Sequence, residues 1–83
     1  MKKYTPAAVH GDVIRIFAKV LGTTPAEITP ETAYQTHAKW DSLTHLEIVS
    51  ELEAAFNVSL SMPDVIALST VKKAEEILLR YVS

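Results

Sequence analysis

From Leu46 to Phe56 the apolar residues return every three or four positions. Leu46, Val49, Leu52 and Phe56 share one side, while Glu47, Ser50 and Glu51 fall largely on the other. A run with this period reads as an amphipathic helix through the middle of the chain. Asp41 and Ser42 stand just ahead of the periodic residues. A helix start leaves backbone N–H groups unpaired there and favours a side-chain oxygen to accept them. The same amides and the helix dipole favour an anion at that end.

The flanking sequence extends the helical pattern. Val9, Val13, Ile16, Phe17 and Val20 predict a first helix from about Pro6 to Leu21, with Thr5 as cap and Pro6 where its missing N–H costs nothing. Gly11 costs about 1 kcal/mol relative to alanine, so the start is expected to fray or fall later. Gly22 supplies the stop. From Thr23 to Lys39 the chain reads as loop, broken by Pro25 and Pro30. Thr24 to Glu27 has the form of a capping box around one short turn, and Ile28 and Tyr34 are the expected core anchors. Asn57 ends the central helix and Val58 to Leu60 form a short link. Ser61 then caps a brief helix through Leu68, and Ser69 or Thr70 opens a last one carrying Val71, Ala74, Ile77, Leu78 and Tyr81. The expectation is an all-α fold: a small four-helix bundle of three main helices and one short third helix, with a long first loop.

Eighty-three residues make a single domain, 1–83, with a modest core that buries roughly two-thirds of its unfolded surface. Such a core is a poor enclosure for a deep active site. Eight Lys and Arg against ten Asp and Glu leave a net charge of −2 and no basic run, which argues against nucleic acid. The chain has no cysteine, so any thiol chemistry must come from a cofactor. Met1-Lys2-Lys3 lacks the apolar run of a secretory signal, and no segment is long and apolar enough to insert in a membrane. The default expectation is a cytoplasmic monomer. His10, His37 and His45 have no metal-ligand spacing. His45 and Ser42 share one helix start with nothing evident to orient the histidine, so neither a metal site nor a hydrolase is indicated.

Asp41-Ser42-Leu43 followed by an acidic amphipathic helix resembles the attachment motif of acyl carrier proteins. The long preceding loop and short third helix extend the resemblance over nearly the whole chain. It implies that Ser42 bears a covalent 4′-phosphopantetheine taken from coenzyme A, with Asp41 and Leu43 completing the motif read by a phosphopantetheinyl transferase. It implies a carrier with no catalysis of its own, whose arm ends in a thiol that holds acyl groups as thioesters. The implied partners are acyl-loading and acyl-processing enzymes with basic docking patches, which would meet Trp40, Leu46, Glu47, Glu51 and Glu53. For a fatty cargo the expected lining is Val13, Phe17, Val49, Leu52, Ile66 and Ile77.

Five positions depart from the common family pattern. Thr44 and Ala54 stand where many carriers of fatty-acid synthesis have acids, Ala38 replaces a usual leucine, and Lys39 and Trp40 precede the motif in place of a glycine and a small residue. These departures point to a specialised fatty-acid, polyketide-like or related acyl-transfer pathway. Trp40 has two readings: its ring folds inward for the missing leucine, or it lies beside the arm and affects partner choice. An aminoacyl or peptidyl carrier loaded by an adenylating enzyme shares the same features. A helical interaction domain, with Ser42 only a cap, is the remote alternative.

Overall fold

The computed structural model describes residues 5–34 and 39–82. His37 and Ala38, and the charged amino terminus, lie outside the described residues. Four helices follow in order: α1 (Pro6–Leu21), α2 (Ser42–Phe56), α3 (Met62–Ala67) and α4 (Val71–Val82), with one 3₁₀ turn at Pro25–Glu27. The helical bundle is the architecture anticipated from the periodicity.

The helix ends are chemically well marked. Thr5 Oγ1 accepts the Ala8 N–H at 3.1 Å and opens α1. Gly22, at φ 70°, closes it in the left-handed region: its N–H reaches Lys19 O and that of Thr23 reaches Ala18 O, so two orphan carbonyls are satisfied. Gly11 sits within α1 without fraying it, because Thr5 and Pro6 fix the start upstream. The capping box at Thr24 does not form. The Thr24 side chain makes no cap bond, and it is Thr23 that donates its hydroxyl to Glu27. Asn57 closes α2 at φ 55°, its amide returning to Glu53 O. Ser61 caps α3, and Thr70 Oγ1 accepts the Lys73 N–H at 3.0 Å at the start of α4.

The core fills the space among α1, α2 and α4. Val9, Val13 and Phe17 from α1 meet Ile48, Leu52 and Phe56 from α2 and Val71, Ala74, Ile77 and Leu78 from α4. One expectation for α2 is corrected here. Leu46 is 59 % exposed, and Ile48 occupies the core instead. The helix is rotated so that its buried stripe runs through Ile48, Val49, Leu52 and Phe56. The expected cargo lining is divided in the same way. Val13, Phe17, Leu52 and Ile77 are packed in the core, whereas Ile66 is exposed on α3.

The loop before α2 is more ordered by backbone pairing than its composition suggests. Val71 N–H donates to Thr32 O at 3.0 Å, Lys72 N–H to Pro30 O at 3.1 Å and Tyr34 N–H to Ser69 O at 2.9 Å. Ala33 and Thr70 form an isolated antiparallel bridge. Loop carbonyls thus take two amides at the first turn of α4 that no turn of that helix could satisfy. Ile28 is buried and Tyr34 half-buried against the core, as anchors should be.

Candidate functional site

Asp41 and Ser42 divide the work at the mouth of α2. Asp41 is the cap: it holds an extended backbone, and its Oδ1 accepts the Thr44 N–H at 2.9 Å. That amide, and then the Thr44 hydroxyl, hold the Asp41 carboxyl below its ordinary value. Ser42 is the first residue of the helix proper and is exposed. Since Asp41 supplies the cap, the Ser42 hydroxyl is not spent on its own helix. It meets Tyr34 instead, with Oγ and Oη 2.9 Å apart.

Behind the serine lies a small aromatic cluster. Trp40 is fully buried, edge-on to Phe17 with ring centroids 5.0 Å apart and stacked on His45 at 6.0 Å. Its Nε1–H donates to His45 Nδ1 at 3.0 Å, and His45 Nε2 meets Val65 O at 2.9 Å. An indole can only donate and a carbonyl can only accept, so the imidazole carries its proton on Nε2. Both ring nitrogens are thereby engaged, and His45 has no lone pair to offer Ser42. The chain Trp40–His45–Val65 fastens α2 to α3.

This geometry decides between the two readings of Trp40. With no exposed surface, Trp40 cannot touch a partner; it folds inward as a core residue. Glu53 is half-buried and has a bond of its own within the fold. Its Oε2 accepts the Leu60 N–H at 2.8 Å, so the carboxylate closes the link between α2 and α3. Leu43, Leu46, Glu47, Ser50 and Glu51 do come together, around a shallow open depression of about 370 Å³. Leu43 is 72 % exposed there. Glu51 is also bridged to α1 by Lys19 at 3.3 Å.

Pattern reasoning does not reach the contact of Tyr34 with Ser42: the sequence marks Tyr34 only as a loop anchor, and no local spacing ties it to a serine eight positions on. For His45 the sequence shows nothing to orient the ring, and the structure supplies an indole and a backbone carbonyl as its partners. Tyr34 and His45 also line a cleft of about 230 Å³ with Val65, Ile66, Leu68 and Ser69.

An exposed primary alcohol on the first turn of a helix suits a phosphodiester, because nearby amides and the dipole favour its charge. The family model for the phosphopantetheine attachment site matches residues 11–78, spanning α2 and the whole cluster around Ser42. An acyl carrier protein of Rubrobacter xylanophilus is 34 % identical over 59 residues, 71 % of this chain and 73 % of that protein. An acyl carrier protein of Chlorobium phaeobacteroides is 31 % identical over 70 residues, 84 % of this chain and 90 % of that protein. The chain belongs to the acyl carrier family, whose members are non-catalytic carriers built around a covalently attached 4′-phosphopantetheine.

Proposed function

We propose that Ser42 is the attachment residue and that the chain, as a single domain over 1–83, shuttles acyl groups between separate enzymes. The observation that carries this reading is the exposed Ser42 hydroxyl at the first position of α2, within the stretch matched by the attachment-site family. In the reaction of a phosphopantetheinyl transferase, Ser42 Oγ displaces adenosine 3′,5′-bisphosphate from the pantetheine phosphorus of coenzyme A. One P–O bond forms as another breaks, and the serine proton passes to a base on the transferase or to solvent. Once bound, the group supplies the thiol that this cysteine-free chain lacks, for holding an acyl group as a thioester.

Asp41 keeps the helix start intact while leaving Ser42 available. Leu43, Leu46, Glu47 and Glu51 offer an apolar and acidic surface for partner enzymes with basic patches. Thr44 and Ala54, where acids are common in carriers of fatty-acid synthesis, favour a specialised acyl-transfer pathway over the general one. The setting that fits is a cytoplasmic monomer.

Intact mass after incubation with coenzyme A and a broad-specificity transferase tests the reading. The expected result is a gain of one phosphopantetheine by the wild type and none by Ser42→Ala. The variant should keep the fold, since Asp41 retains the cap, and its circular dichroism should match the wild type. Modification of Ser42→Ala would overturn the assignment.

A further inference from the structure

We infer that Tyr34 is a positioning residue for the arm: its hydroxyl holds Ser42 Oγ for transfer and afterwards donates to the phosphodiester. The inference rests on Ser42 being the attachment residue and goes beyond it, because it gives a role to a loop residue outside the motif.

The geometry is that of a group held from several sides. The Tyr34 amide donates to Ser69 O at 2.9 Å, which fixes its backbone against the α3–α4 junction. Its ring lies across Trp40 at 6.3 Å and 70°, and across His45 at 5.4 Å and 55°. Those two rings are themselves locked by the Trp40–His45 hydrogen bond and stacking. The phenol is half-buried, and its Oη stands 2.9 Å from Ser42 Oγ. A phenol so constrained has little freedom left to lose when it engages a ligand.

The serine proton distinguishes the two stages. Before transfer either hydroxyl can donate. With Ser42 donating to Tyr34, the remaining Oγ lone pairs are turned outward to an approaching phosphorus. During transfer the Oγ–P bond forms, the bond to the adenosine bisphosphate breaks with its electron pair, and the serine proton leaves to the transferase's base or to solvent. Ser42 then has no proton, so only Tyr34 can donate. The acceptor within reach of a hydroxyl already 2.9 Å from Oγ is the phosphodiester itself. A neutral hydrogen bond is exchanged for one to an anion, which is the stronger kind.

Tyr34→Phe keeps the ring and removes the hydroxyl. The apo variant should melt close to the wild type, while transferase kcat/KM falls about three- to tenfold, the worth of one hydrogen bond. In the holo proteins the ³¹P resonance should differ between variant and wild type, and the change in melting temperature on arm attachment should be less stabilising in the variant. Equal ³¹P shifts together with equal apo-to-holo melting changes would overturn the role of Tyr34. If the variant folds poorly, ¹³C-labelled Tyr34 in the wild type gives the same answer. Its Cζ resonance should move on arm attachment, and an unchanged resonance overturns the proposal. A wild type that gains the arm while Tyr34→Phe behaves identically removes Tyr34 and leaves Ser42 standing. A wild type that gains no arm removes both.

Discussion

Trp40 carries two separable contributions, an apolar ring against Phe17 and a donor for His45. Trp40→Phe keeps most of the ring and deletes the donor, leaving Nδ1 of a part-buried imidazole unpaired. The expected loss is about 1–3 kcal/mol, read as a lower midpoint in urea denaturation. A midpoint equal to wild type would mean that the Nε1–Nδ1 bond contributes nothing net. The sequence left Trp40 with two readings because both depend on where Phe17 and His45 end up, and no local pattern relates an indole to either. Ser42 was easier to find. A serine ahead of an apolar period is a local signal, and its motif is contiguous. Tyr34 was legible as a core anchor but its contact with Ser42 was not, since that approach depends on the pairing of residues 30–34 with the α4 start.

Among the elements, α1 and α3 show opposite uses of their ends. Gly11 lies on an exposed stretch of α1, and a Cβ there would meet no atom within 4 Å. Gly11→Ala should therefore stabilise by about 0.5–1 kcal/mol through the unfolded chain, visible as a raised melting temperature. α3 has six residues and no buried side chain of its own, so it relies on polar fastening. Asp64 accepts from Tyr81 Oη at 2.5 Å, from Arg80 at 3.0 Å and from Ser61 Oγ at 3.1 Å. The Tyr81 hydroxyl first, and then Arg80 and Ser61, hold the Asp64 carboxyl below its ordinary value of 3.8, against a partial desolvation that acts the other way. A carboxyl lowered in the folded state binds fewer protons there than when unfolded. Its stabilisation is complete above the ordinary value and is lost as pH falls through the lowered one. Asp64→Asn should be less stable than wild type at pH 7, and its melting temperature should fall less steeply below about pH 4. Parallel acid limbs for the two proteins would show that Asp64 is not the group responsible. Helix existence and order were legible because capping residues and apolar periods are local. The rotation of α2 was not: Leu46 and Ile48 both suit an apolar stripe, and packing against α1 and α4 selects Ile48.

At the scale of the molecule, α1, α2 and α4 share one core, and Leu52 is fully buried in it. Leu52→Ala should cost about 2–5 kcal/mol and lower the urea midpoint with the slope unchanged, as expected when one cooperative unit unfolds. A split transition would indicate that α2 unfolds apart from the rest. The all-helical class followed from the sequence because each helix announces its own period. The join between the loop and α4 did not, because Thr32–Val71 and Pro30–Lys72 are backbone bonds between distant segments, to which side-chain type contributes almost nothing.

That join has a consequence for the order in which the molecule can assemble. The carbonyls of residues 30 and 32 finish the opening turn of the last helix, and the amide of residue 34 is finished in return by residue 69. Neither segment completes its bonding before the other arrives, so the two must settle together, across a long excursion of chain whose closure entropy falls due first. The surroundings of the serine are thus expected among the late features to take shape, and a nascent chain that has not yet reached Ser69 would present the hydroxyl without the backbone bond that holds its phenol neighbour in place.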